Sequence, residues 1–191
     1  MPSVLPNFLY DVQGWLLLAA PLVAAAAVAS YVVARRLGVD RRAAAVRATA
    51  VGVLAVHLVA VAVATRLVEV ISGGGDEFAT RQLELVPLTG VGGYLRSALS
   101  LTVLLQIGGN VALLLPLGVL IPLVVGRDPG WRMVLLLGIA TSATIEAVQW
   151  WFALGVASVD DVALNVTGVA LGYLAYRLLI RVLHRSVEPF G

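Results

Sequence analysis

The sequence predicts an all-α fold, a polytopic bundle of about five transmembrane helices with a short interfacial or re-entrant segment between the second and third spans. Three observations predict it. The 191 residues are 60% hydrophobic and 13% charged, with a mean hydropathy of +0.97, whereas a soluble domain carries about 25% charged residues. The apolar residues fall into five stretches, each reaching the roughly 20 residues needed to cross a hydrocarbon layer of about 30 Å. The arginines are distributed unequally between alternate loops. Helix is the expected conformation in each stretch, because lipid offers no water to satisfy an exposed backbone.

The first span covers residues 14–34 and the second residues 49–70. The third covers residues 97–125, the fourth 131–152 and the fifth 159–183, and the whole chain reads as a single domain. Pro21, Pro116 and Pro122 lie inside spans, where neighbouring helices can absorb the lost hydrogen bond. The opening MPSVLPNFLYDVQGW has no basic residue before the first apolar run. It is expected to remain as a span rather than to act as a cleaved signal. Between the second and third spans, Gly73, Gly74 and Gly75 make a flexible turn. The following LELVPLTGVGGYL is too apolar for a free loop and too short to span, so it is expected in the interface or as a re-entrant segment.

All thirteen basic residues are arginine. Five spans place Arg35, Arg36, Arg41, Arg42, Arg47, Arg127, Arg132, Arg177, Arg181 and Arg185 on one side. Only Arg66, Arg81 and Arg96 remain on the other. The positive-inside rule then predicts an N-terminus outside and a C-terminus in the cytoplasm of a plasma membrane. The Arg35–Arg47 cluster reads as a topology determinant that also touches anionic lipid. Tyr10, Trp15, Trp150 and Trp151 fall near the predicted outer ends, as an aromatic belt would. No cysteine is present, which excludes disulfides and thiolate metal sites. The small net charge of +2 is not gathered on a soluble face and does not point to nucleic acid.

Polar residues inside spans are the candidate site. Asp161, Asn165, Gly168 and Gly172 recur at helical spacing on one face. The Gly168–Gly172 pair permits close approach of another helix, though this motif alone is weak in a chain so rich in small residues. Ser142, Glu146 and Gln149 form a second stripe, and Gln106 with Asn110 a third. Counting from the outer ends at 1.5 Å per residue puts Asp161 at a depth of about 3 Å, Glu146 and Asn165 at about 9 Å, and Asn110 at about 16 Å. These stripes can meet in one outward-facing polar pocket. A carboxylate within a span costs about 2.5–3.5 kcal/mol, so Glu146 should face the interior with a partner, and Arg66 is a candidate. Plainer readings stand beside this one. Asp160 and Asp161 open a helix, where acidic side chains cap free N–H groups. Asn110, Gln149 and Asn165 can serve as interhelical hydrogen-bonding glue, and His57 reads as a structural histidine in mid-span.

Four stretches resemble the VanZ-like family of bacterial membrane proteins: LELVPL (Leu83–Leu88), NVALLLPLGVLIPL (Asn110–Leu123), TSATIEAVQ (Thr141–Gln149) and SVDDVALNVTGVALGY (Ser158–Tyr173). They occur in the family's order over roughly the C-terminal 60% of the chain. LELVPL departs from the family's Asn-Leu-x-Pro-Phe element at Glu84 and Leu88. The family's usual Arg before the Asp-Asp pair is replaced here by Gly155 or Val156; if that Arg neutralises the acidic cluster, then either Arg66, Arg81 or Arg96 does so here or the site is altered. The resemblance implies a multi-spanning envelope protein, related to one associated with low-level resistance to the glycopeptide teicoplanin. It brings no settled chemistry.

Three classes of function follow. The first is a binding protein whose outer pocket engages a membrane lipid, a lipid-linked cell-wall precursor or an amphiphilic antibiotic. The second is a membrane enzyme acting on a lipid phosphate, with Glu146, Asp160 and Asp161 supplying acid–base chemistry or holding a divalent cation. No nucleophile–base pair and no HExxH occurs, so no catalytic residue, metal site or cofactor is assigned. The third is a small transporter, against which the lack of an internal repeat counts.

Overall fold

The computed structural model describes residues 4–71, 82–87, 101–151 and 156–187. Helices α1 (Val4–Arg36) and α2 (Arg41–Ile71) come first, then strand β1 (Gln82–Glu84). Helices α3 (Leu101–Val125) and α4 (Gly130–Trp151), strand β2 (Val156–Ser158) and helix α5 (Val159–Val187) follow. Each of the five helices contains a segment long and apolar enough to cross a membrane, from Ala19–Arg36 to Val159–Leu183. The five-span reading holds. Residues 97–100 of the expected third span and residue 152 of the fourth lie outside the described residues.

The helices fall into two compact units. The first contains α1 and α2 together with residues 122–128. The α1–α2 turn is tightly built: Gly38 takes a left-handed φ of 81° after α1, and the Asp40 carboxylate accepts the N–H groups of Arg42 and Ala43 at 2.9 and 3.0 Å. Asp40 thus caps α2, and a cap of this kind starts a helix at once. Arg41, Arg42 and Arg47 therefore belong to the first turns of α2 rather than to a loop preceding residue 49. Arg47 donates from Nε to the Val124 carbonyl at 2.8 Å and from Nη2 to that of Val125. A helix C-terminus leaves its last carbonyls without intrahelical partners, and a guanidinium satisfies two at once.

The second unit contains β1, most of α3, α4, β2 and α5. Its core includes Leu114, Leu117, Val134, Val169 and Tyr173, all buried. Glycine sets the approach of α3 to α5. A β-carbon on Gly168 would land on the Val111 carbonyl, one on Gly172 on that of Leu115, and one on Gly118 on that of Val169. The two pairings advance together along both chains, so α3 and α5 run parallel with their backbones in contact. The expected Gly168–Gly172 face is the face used.

The piece expected to be interfacial or re-entrant begins as an extended strand. Gln82, Leu83 and Glu84 pair in parallel with Val156, Ala157 and Ser158. Pairing satisfies backbone groups that apolar surroundings would otherwise strand. Residues 88–95 of that piece lie outside the described residues.

Candidate functional site

The entry to α5 is built by side chains from three elements. The Ser158 hydroxyl accepts the Asp160 N–H at 3.1 Å, which caps the first turn. The N–H of Ser158 itself donates to Glu146 Oε2 of α4 at 2.9 Å. Glu146, 8% exposed, thus holds the β2–α5 junction against α4. A carboxylate tolerates such burial when hydrogen bonds replace its water. Asp160 is buried to the same extent. The strand register sets Glu84 opposite Ser158, and this carboxylate, with that of Asp160, acts electrostatically on Asp161.

In the first turn of α5, Asp161 accepts a hydrogen bond from the Asn110 amide of α3. A further turn in, Asn165 donates from Nδ2 to the Ser142 hydroxyl of α4 at 3.0 Å. Both are sealed, Asn165 at 1% and Ser142 at 0% exposure. The second arm of the amide, Asn165 Oδ1, is buried with no hydrogen-bond partner. The polar stripes of α3, α4 and α5 therefore meet at the strand-bearing end of the second unit. Asn110 stands level with Asp161, not well below it as equal starting depths for the two helices would require. Asn110 is the tenth residue of α3 and Asp161 the third of α5, so the two helices begin at different levels.

The remaining predicted residues fall elsewhere. Gln149 is half-buried on α4 and makes no hydrogen bond to this network. Arg66 lies in α2, but its side chain is outside the described ones, and Arg81 and Arg96 are outside the described residues altogether. His57 sits in the first unit. No three His, Asp or Glu side chains converge as a metal-ligand set among the described residues. A cavity of about 440 Å³ lies on a different face of α4, lined by Ala143, Thr144, Ala147, Val148 and Trp151, away from the polar network. Trp151 is 63% exposed at the end of α4, where the aromatic belt is expected.

Sequence reasoning missed Glu84 and Ser158 as members of the site. A three-residue strand has almost no periodicity to read, and nothing in either segment announces its partner 74 residues away. At the opposite end of the second unit the buried Tyr173 ring meets Trp131 edge-to-face at 4.6 Å, and its hydroxyl accepts from Arg177 at 3.2 Å.

Comparison with curated proteins gives no match, and comparison with solved structures gives none. The VanZ/LLP1 family model matches residues 51–181. That span runs from α2 to the last turns of α5 and takes in every carboxylate and amide of the network. With five spans in place and the family's segments folded together at one end, the chain belongs to the VanZ/LLP1 family and is a multi-pass membrane protein.

Proposed function

We propose that this chain is a bacterial cell-envelope protein that engages an amphiphile in an outward-facing polar pocket formed around Asn110, Glu146, Asp160, Asp161 and Asn165. The ligand class is a membrane lipid, a lipid-linked wall precursor or an amphiphilic antibiotic, and the family relation makes a glycopeptide such as teicoplanin the first drug to test. The observation that carries this reading is the gathering of polar side chains from three spans at one end of one unit, joined by hydrogen bonds. Carboxylates and amides within spans are costly, and they are retained where they face a partner or a polar ligand. The arginine asymmetry supports an outer side for that end, which would make Arg66, Arg81 and Arg96 the cations available to a ligand phosphate.

The test has two parts. Native mass spectrometry of the purified protein is expected to show a retained amphiphile that is lost in Glu146→Ala. A deletion strain is expected to change its susceptibility to wall-active drugs, with restoration by the wild type but not by Glu146→Gln or Asp161→Asn. Full complementation by both variants would sink the site assignment.

A further inference from the structure

Asp161 gives one carboxylate oxygen to Asn110. The strand register brings Glu84 to Ser158, and Asp160 shares the first turn of the helix with Asp161, so three carboxylates gather at the strand-bearing end. Glu84 is exposed on β1, and its side chain makes no hydrogen bond among the described residues. Glu146 already receives the Ser158 N–H. Asn165 adds an independent feature: it is 1% exposed, and its Oδ1 accepts nothing. Side chains on a helix lean toward its N-terminus, which directs the Asn165 amide toward the turn bearing Asp161. Its Nδ2 arm is fixed on Ser142, so the idle arm is an acceptor. A buried carbonyl left without a donor is costly, and with the half-exposed Asp161 carboxylate one turn away on the same face it describes what is missing between them.

We propose that this site receives a primary ammonium group, the cationic head of an amphiphile, held between Asp161 and the buried Oδ1 of Asn165 with Glu84 flanking the entrance. The proposal rests on the amphiphile-binding reading above and names the headgroup chemistry. An ammonium carries three N–H donors and no acceptor, and it forms short charge-assisted bonds to a carboxylate. A metal ion fits less well, since no three ligating side chains converge among the described residues. A quaternary ammonium has the same charge but no N–H, so it leaves Asn165 Oδ1 unsatisfied. Asn110 is a positioning residue here: its bond to one Asp161 oxygen orients the other. Entry is from the half-exposed Asp161 and the site ends at the sealed Asn165.

The test uses the full chain in detergent, with lipids exchanged in and retention read by native mass spectrometry. Phosphatidylethanolamine and phosphatidylcholine share net charge and differ in N–H donors, and phosphatidylglycerol supplies an anionic head. Phosphatidylethanolamine is expected to be retained about tenfold over phosphatidylcholine, the scale of one charge-assisted bond. Asp161→Asn keeps an acceptor for Asn110 and should abolish that preference while the melting temperature stays unchanged. Glu84→Gln should lower it severalfold. Asn165→Leu should abolish it as well; if that variant fails to fold, Asp161→Asn decides the question alone. Competition by free ethanolamine would assign binding to the amine alone, and its failure to compete would assign it to the amine on a lipid. Equal retention of the two zwitterionic lipids, or a preference untouched by Asp161→Asn, overturns the inference. Asp161-dependent retention of phosphatidylglycerol overturns it while leaving the amphiphile reading intact. Retention of no lipid overturns both.

Discussion

Glu146 shows how much one side chain in a span can tell and where that information stops. Its burial and its inward direction follow from the cost of a carboxylate in lipid, and both are found. Its bonded partner does not follow, because the Ser158 N–H is a backbone group that every residue but proline possesses. The sequence points instead to Arg66, whose side chain lies outside the described ones. The bond separates two roles of the residue. Glu146→Gln keeps a carbonyl oxygen facing Ser158 and should melt close to wild type in detergent. Glu146→Ala leaves a half-buried N–H without its acceptor and should cost about 1 kcal/mol, seen as a lower melting temperature. Equal melting of all three proteins would show that the bond contributes nothing to the β2–α5 junction. Asp161 is legible in the same partial way: its helical spacing from Asn165 sets the face, and Asn110 was expected nearby but at another depth.

Among the elements, the helices were legible because twenty apolar residues leave few other structures open to a chain in lipid. The β1–β2 pair was not, since a parallel pairing of three residues depends on a long-range register with no local signal. The α3–α5 contact lies between these cases. Gly168 and Gly172 mark a face by spacing, yet Gly108 and Gly109 in α3 are equally glycine, and only the fold distinguishes them. A β-carbon on Gly168 or Gly172 meets α3 backbone, whereas one on Gly108 meets nothing within 4 Å. Gly168→Ala and Gly172→Ala should therefore each destabilise by about 1–3 kcal/mol, the usual cost of overpacking. The double variant should fall short of their sum, because helices already forced apart make room for the second methyl. Gly108→Ala should be neutral or should stabilise by up to about 1 kcal/mol through helix propensity. Thermal unfolding in detergent measures all four variants, and a Gly108→Ala penalty equal to that of Gly168→Ala would refute the packing account.

Across the whole molecule, one arrangement in the membrane makes sense of the charge. Five spans put the N- and C-termini on opposite sides, and ten of the thirteen arginines then share the side of the C-terminus. Several of them are also placed where a helix end suits a cation: Arg35 and Arg36 end α1, where cations complement the helix dipole. Arg47 satisfies the last carbonyls of α3. Within the second unit the polar network lies at the end opposite Trp131 and Arg177, so the function proposed for it depends on which way the chain is inserted. The complete absence of cysteine makes the orientation directly measurable. Single cysteines introduced as Gln82→Cys on β1 and Asp128→Cys between α3 and α4 report opposite sides of the membrane. In intact cells an impermeant maleimide is expected to label Gln82→Cys and to spare Asp128→Cys until the membrane is opened. The reverse pattern would turn the network toward the cytoplasm. A ligand met from outside the cell, such as a glycopeptide, would then have no access to Asp161, and the choice would narrow to a lipid of the inner leaflet.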